Sequence, residues 1–224
     1  MKAHRKKFFK AAFFIGIVML FGISIKCDTA TAFVAKKYQK AYQQLLSKKE
    51  TAWGESKVET KKLFYLLYDI DHNGIPELFL KNPKAGEYEE TVRIYTFSNK
   101  KNKVKLLYKT SNKIYVYENQ SLICFVGEMT GLNFTRYCTL KGTKLEMKLV
   151  MTGTIVGEML PSDIEVLEVA PGKADTIYFY SFSADGEEIT RDEAEDIVQE
   201  LEKDNKVINI GKYQKNTKKN RSGI

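Results

Sequence analysis

The sequence predicts an α+β fold: an antiparallel β-meander of short strands with an N-terminal and a C-terminal amphipathic helix. Tyr and Phe number 13 each whereas Pro numbers only 4, a balance that favours strands with aromatic faces. Short β-prone segments separated by turn residues fill the middle of the chain. Apolar residues at helical spacing appear near its two ends. Together these features indicate a mostly β domain flanked by helices.

The charge of the chain is unevenly distributed. The 224 residues carry a net charge of +8. Residues 1–32 and residues 211–224 each carry +5, which leaves −2 for the stretch 33–210. A folded nucleic-acid-binding domain carries its positive charge on the domain itself. We therefore expect no nucleic-acid partner.

Residues 1–32 have the three-part layout of a secretory signal peptide. A basic stretch over 1–10 precedes the uncharged residues 11–25, and Ala30-Thr31-Ala32 then provides the small residues of a cleavage site. Cleavage there would leave Phe33 as the first residue of the mature protein.

Two alternatives to cleavage stay open. An uncleaved membrane anchor normally needs about 20 apolar residues, more than the stretch 11–25 offers. A lipid anchor on Cys27 would require a small residue before the cysteine, where Lys26 stands. All three possibilities place the folded body outside the cytosol, in an extracellular or cell-surface location.

The predicted domain begins with a helix and a strand. Val34, Tyr38, Ala41, Tyr42, Leu45 and Leu46 fall at helical spacing and predict an amphipathic helix over 34–49. The polar stretch 50–60 is interpreted as a connection. The apolar run 63–68 predicts a buried strand, and a strand resumes at 78–80 after a short loop.

The middle of the chain predicts three β-hairpins, each built from two short strands around polar turn residues. Their strands are 92–97 with 104–108, 114–117 with 122–126, and 134–140 with 145–151. Two further strands are predicted at 164–169 and 176–182.

The end of the chain predicts a capped helix and a loose tail. Thr190-Arg191-Asp192-Glu193 is a capping box, and Ala194, Ile197, Val198 and Leu201 follow on one helical face. An edge strand at 207–210 completes a single domain, 33–210. The basic tail 211–224 is predicted to be disordered. It either adheres to an anionic cell-wall polymer or membrane surface or serves only as a solubilising end.

One segment, Asp69-Ile70-Asp71-His72-Asn73-Gly74-Ile75-Pro76-Glu77, has a sharp chemical signature. Calcium prefers six to eight oxygen ligands, which alternate residues of a tightly coiled loop supply. Gly74 permits the sharp turn such a loop requires. The sequence therefore predicts a Ca²⁺ site. Its ligands would be Asp69, Asp71, Asn73, the Ile75 carbonyl and Glu77.

The loop matches only the first half of the EF-hand pattern, because Leu80 stands at the twelfth position in place of Glu. The segment 68–80 resembles instead the D-x-D-x-D-G-x-x-[DE] loop that joins two strands in FG-GAP and VCBS-type repeats. It is also similar to the "YDIDGDGIPELLL" line of uncharacterised secreted bacterial proteins, and 178–201 resembles their usual end. The resemblance implies an extracellular module with no assigned activity.

Two departures from the resembled loop predict a weak site. His72 stands where Gly is common, and Asn73 replaces Asp and removes one charge. We expect an affinity suited to millimolar extracellular calcium. The alternative is an Asx turn without an ion, in which Asp69 and Asp71 only hydrogen-bond the backbone. Three carboxylates would then repel one another with nothing to neutralise them.

Cys124 and Cys138 are the cysteines that remain after cleavage, and they lie symmetrically about Gly131. In a hairpin centred there they would face one another, so an oxidising compartment predicts a disulfide between them. The alternative is two free buried thiols.

Catalytic constellations are scarce. After cleavage His72 is the only histidine, and its loop position is expected to face solvent. A His-rich zinc site is therefore excluded, and a Ser-His-Asp site would have to use His72.

We expect a secreted or cell-surface, calcium-stabilised binding module without catalysis. It would be a monomer whose partner is a cell-envelope polymer or protein, and which touches a membrane only through an uncleaved signal anchor. The alternatives are an extracellular hydrolase that uses two carboxylates on glycans, and a purely structural envelope protein.

Overall fold

The computed structural model describes residues 35–86, 90–129, 132–154, 166–170 and 177–224. In these ranges the strands pair antiparallel, with one helix early and another late. This arrangement confirms the predicted α+β class.

The first half of the chain forms a helix, a small hairpin and four strands of a sheet. These elements are α1 (35–46), β1 (Glu50–Trp53), β2 (Ser56–Glu59), a 3₁₀ turn (Thr60–Lys62), β3 (Phe64–Tyr68), β4 (Glu77–Lys81), β5 (Val92–Ser98) and β6 (Lys103–Thr110).

The second half adds nine strands and two helices. These are β7 (Lys113–Tyr117), β8 (Leu122–Met129), β9 (Leu132–Lys141), β10 (Lys144–Thr154), β11 (Leu167–Val169), β12 (Ile177–Ala184), β13 (Glu187–Glu188), α2 (Arg191–Glu202), β14 (Val207–Ile208), β15 (Gln214–Lys215) and α3 (Lys218–Arg221).

The three predicted hairpins are confirmed as β5–β6, β7–β8 and β9–β10. The connection expected at 50–60 was wrong, because β1 and β2 form a hairpin there. Its buried Thr51 and Trp53 alternate with exposed Glu50 and Ala52, a two-residue period that the polar composition concealed.

Apart from the separate two-stranded β1–β2 hairpin, the strands form two sheets. One has the order β15-β3-β4-β5-β6, and the other has the order β11-β12-β10-β9-β8-β7-β14, with β13 added beside β12. The division falls between β6 and β7. The sheets pack through a central cluster in which Phe79 and Ile94 of the first join Ile123 and Phe125 of the second.

Each sheet buries its other face under a helix. Tyr42 and Leu46 of α1, together with Trp53, cover Leu78 and Leu80 of the five-stranded sheet. Ala194 and Leu201 of α2 cover Leu149 and Phe179 of the eight-stranded sheet. Alternate residues of the strands therefore enter different apolar clusters, as the two-residue strand period requires.

The start of α2 confirms the predicted capping box. The Glu193 amide donates to the Thr190 hydroxyl at 3.3 Å, and the Thr190 amide donates to the Glu193 carboxylate at 2.9 Å. Both amides belong to the group that a helix start leaves without a partner.

The tail beyond residue 210 is ordered, which corrects the prediction of disorder. β15 pairs with β3 and extends the five-stranded sheet. Asn216 is buried, and its side-chain amide donates to the carbonyls of Leu46 at 2.9 Å and Thr60 at 2.8 Å. The Leu46 carbonyl lies at the end of α1, where helical partners run out. Asn216 and the β15–β3 pairing therefore both hold the basic tail to the domain.

The predicted disulfide between Cys124 and Cys138 is also corrected, because both are free and buried thiols. In the β8–β9 pairing Cys124 lies opposite Tyr137, and Cys138 lies opposite Ile123. Residues on successive positions of a strand point to opposite faces, so the two thiols enter different clusters. The assumed symmetry about Gly131 was wrong by one residue.

The predicted signal peptide, with its cleavage site and Cys27, lies outside the described residues, as does the start of the strand predicted at 164–169. Among the helices that the structure describes, none has both the length and the apolar character needed to cross a membrane.

Candidate metal centre

The β3–β4 hairpin presents the predicted calcium loop at one end of the five-stranded sheet. Tyr68 and Glu77 pair across the two strands, so the loop comprises the eight residues 69–76. The apolar runs on both sides form this hairpin because their alternate residues enter the central cluster and the cluster beneath α1.

Asp69 organises the turn of the loop. Its two carboxylate oxygens accept hydrogen bonds from the amides of Asn73 at 3.1 Å and Gly74 at 2.8 Å. The Asn73 side-chain oxygen accepts from the Ile75 amide at 2.7 Å. Gly74 has φ +81°, a conformation that residues with a side chain rarely adopt. These contacts alone are those of an Asx turn.

Glu77 is a carboxylate with no exposed surface. One oxygen accepts from the Ile70 amide and the other from the Thr96 hydroxyl, both at 3.0 Å. The pKa of Glu77 is raised to about 8, chiefly by burial. The charges of Asp71 and Asp69 contribute to this rise, and the two hydrogen bonds act in the opposite direction. Among the described residues, no cation contributes to this pKa.

Asp71 completes a cluster of three carboxylates. One oxygen, Oδ2, accepts from the Gly142 amide at 3.2 Å. The other, Oδ1, is buried, and no hydrogen-bond partner for it exists among the described residues. One oxygen each of Asp69, Asp71 and Glu77 lie within 4.8 Å of one another. These three are the predicted ligands that the structure brings together.

The donor set fits a hard divalent cation. Calcium binds oxygen ligands at about 2.3–2.6 Å, so oxygens that share one ion lie within roughly 5 Å of one another. The spacing of the three carboxylates meets that limit. The Asn73 side-chain oxygen is engaged by the Ile75 amide, so its use as a ligand would require sharing. An Asx turn explains the contacts of Asp69 and Asn73. It does not explain why Asp71 Oδ1 is buried without a hydrogen-bond partner or why the Glu77 carboxyl group is buried.

The loop also touches three other parts of the fold. The Tyr42 hydroxyl of α1 donates to the Pro76 carbonyl at 2.9 Å. The exposed His72 ring lies 3.2 Å from the Glu118 carbonyl, just after β7. Gly142, in the turn between β9 and β10, reaches Asp71. The loop is therefore a junction between α1 and both sheets, and no local pattern in the sequence signals these long-range contacts.

A second buried polar group lies beneath the end of α2. The hydroxyls of Tyr117 and Tyr137 both donate to Glu202 Oε1, at 2.6 Å and 2.7 Å. Burial is the largest of the effects that raise the pKa of each phenol far above its usual range. The arrangement ties α2 to the eight-stranded sheet and brings no nucleophile to a surface.

Comparison with protein-family models, with curated proteins and with solved structures finds no match for this chain.

Proposed function

We propose that the chain is a calcium-stabilised binding module, secreted or held at the cell surface, without catalytic activity. The observation that carries the proposal is the buried Asp71 oxygen without a partner, beside a fully buried Glu77. Burying carboxylates without a counter-charge is costly, and a divalent cation removes that cost.

The chemistry of the ligands favours calcium over other metals. The three clustered groups are carboxylates, and neither a thiol nor an imidazole belongs to the cluster. Zinc and copper sites use nitrogen or sulfur ligands, whereas calcium accepts oxygens in a flexible arrangement. Bound calcium would supply the positive charge, while Asp69, Asp71 and Glu77 would hold it.

A stabilising ion is better supported than a catalytic one. Glu77 is enclosed by Ile70 and Thr96 and is not exposed, so a glycan could not reach it. The pair of carboxylates that a glycoside hydrolase uses must flank the scissile bond. The cluster therefore supports a binding module over the alternative of an extracellular hydrolase.

The location outside the cytosol rests on the signal-like residues 1–32 and on the loop, whose expected affinity suits the calcium concentration there. A cell-envelope polymer or protein remains the proposed partner.

Calorimetric titration of the full chain with Ca²⁺, paired with thermal melts in calcium and in chelator, tests the proposal. Calcium should raise the melting temperature, because a ligand that binds only the folded state stabilises it by about 2.7 kcal/mol at 100 times its Kd. Asp71→Asn should abolish this rise. The matched control is Asp196→Asn, at an exposed position of α2.

Magnesium at the same concentration should have a much smaller effect, because it demands a stricter octahedral geometry. Equal melting temperatures in calcium and chelator, with no heat of binding, would reject the calcium site. A rise that survives in Asp71→Asn would place the ion elsewhere.

A further inference from the structure

A cavity of about 550 Å³ lies on the other side of the eight-stranded sheet from the central cluster, beside α2. It is lined by residues of the turn before β8, the β9–β10 hairpin, the β12–β13 turn and α2. Small-ligand sites usually have volumes of about 300–1,000 Å³.

One lining residue carries a polar group without a partner. Thr139 is 8% exposed, and its hydroxyl is buried with no hydrogen-bond partner among the described residues. A buried hydroxyl left unpaired is costly, and a rotation about χ1 moves it to another staggered position.

The charges around the cavity come in two sets. Lys141 and Lys148, on the β9–β10 hairpin, share the carboxylate of Glu146 at 2.8 Å and 3.6 Å, which leaves one excess positive charge on that side. Asp185 of the β12–β13 turn and Glu200 of α2 contribute carboxylates.

An apolar surface from α2 completes the lining. Ile197 and Leu201 belong to the apolar face that packs on the eight-stranded sheet, and both also line the cavity. None of its lining residues is aromatic, so it lacks the flat surface on which sugar rings stack.

The rim of the cavity is held by the candidate metal loop. Gln120 and Ser121 line the cavity with φ of 61° and 53°, a conformation that costs free energy unless surrounding contacts maintain it. His72 contacts Glu118, two residues before this pair, and Asp71 contacts Gly142, next to Lys141. The loop therefore braces two of the turns from which the cavity is built.

We propose that this cavity is the ligand site of the module and that it binds a small zwitterion with an apolar group, an amino acid or its equivalent. The inference goes beyond the proposed function and rests only on the binding role proposed there. The lysine side receives the carboxylate, Asp185 and Glu200 receive the ammonium, Ile197 and Leu201 contact the apolar group, and the Thr139 hydroxyl gains a partner. A simple anion would be repelled by the two carboxylates, and a simple cation would be repelled by the lysines.

Titration of the full chain with L-leucine tests the site, with three analogues that each lack one feature. Glycine lacks the apolar group, 4-methylpentanoate lacks the ammonium and 3-methylbutylamine lacks the carboxylate. Leucine should bind more tightly than all three. Asp185→Asn should weaken leucine binding and leave the binding of 4-methylpentanoate unchanged or stronger.

Thr139→Val separates the site from general stability. The hydroxyl has no partner in the free protein, so the substitution should leave the melting temperature unchanged or higher. Leucine affinity should nevertheless fall, by roughly fivefold for one lost hydrogen bond. The matched control is Thr135→Val, at a buried hydroxyl of the same strand that also lacks a partner but does not line the cavity.

The outcomes of these titrations test the cavity and the metal site separately. Leucine binding that Thr139→Val weakens and Thr135→Val does not supports the cavity. Leucine binding unaffected by Thr139→Val, analogues that bind as tightly as leucine, or no binding at millimolar leucine would overturn it. A protein that binds calcium but not leucine would retain the metal site without this ligand site. Binding of leucine without binding of calcium would reject the proposed metal site and support the cavity as a ligand site.

Discussion

The backbone amide of Gly142 donates a hydrogen bond to Asp71 across 71 residues of sequence, at 3.2 Å. It joins the β3–β4 loop of one sheet to the β9–β10 turn of the other. An ion held by Asp71 would therefore act on the contact between the sheets as well as on the first hairpin.

Glu77→Gln distinguishes a metal site from a bare turn. The buried carboxylate costs free energy without a counter-charge, so in chelator the neutral amide should leave the melting temperature unchanged or raise it. In calcium the wild-type protein should melt higher than the variant. Thermal melts of both proteins in both conditions measure this reversal. A variant that melts below the wild type by the same amount in chelator and calcium would contradict the metal site.

Asn216→Ala should destabilise the protein by about 2–4 kcal/mol, because it removes two buried hydrogen bonds and leaves the Leu46 carbonyl without a partner. Urea unfolding measures the loss. Asn99→Ala, at an exposed turn, is the control and should change stability by less than about 0.5 kcal/mol. Equal effects of the two substitutions would contradict the ordered tail.

Cys124 and Cys138 should both react with a thiol reagent in denaturant, and neither should react quickly in the native protein. Burial raises the pKa of Cys138 to about 11 and that of Cys124 well above its ordinary value, so little thiolate exists at pH 8. Mass spectrometry after alkylation, without a reductant, counts the labelled cysteines. A denatured chain in which neither Cys124 nor Cys138 is labelled would restore the disulfide that the β8–β9 register argues against.

Stability should fall as the pH rises above about 9. The pKa values of Tyr117, Tyr137 and Cys138 are raised in the folded protein, chiefly by burial. In this range the unfolded chain releases protons that the folded chain retains, so it binds fewer protons and is favoured by a rising pH. Each such group costs about 1.4 kcal/mol per pH unit until its folded-state pKa is reached.

Urea unfolding between pH 7 and pH 10.5 measures this loss, and Tyr137→Phe should reduce its slope. Tyr180→Phe, at a partly exposed strand position, serves as the matched control. A slope that Tyr137→Phe does not change would contradict the role of the buried phenol.

Features governed by local sequence could be predicted. The three hairpins depend on alternating residues and turn signals, and the Thr190–Glu193 box depends on residues three positions apart. The clustering of Asp69, Asp71 and Glu77 also follows from their spacing within one hairpin loop.

Features governed by distant contacts could not be predicted. Asn216 looks like any residue of a basic tail until Leu46 and Thr60 are placed beside it. The two cysteines change faces with a shift of one residue in the β8–β9 turn, which spacing alone does not determine. The contacts of Thr96 and Gly142 with the loop depend on how the strands assemble.

The position of Asn216 also bears on the order in which the chain folds. Its partners precede it by 170 and 156 residues. Closing so long a loop is slow, so the edge of β3 and the end of α1 should acquire their final contacts among the last events of folding. During synthesis, Leu46 and Thr60 could form these contacts only after almost the whole chain had left the ribosome. Under the proposed export, such a delay would favour crossing the membrane before the fold is complete.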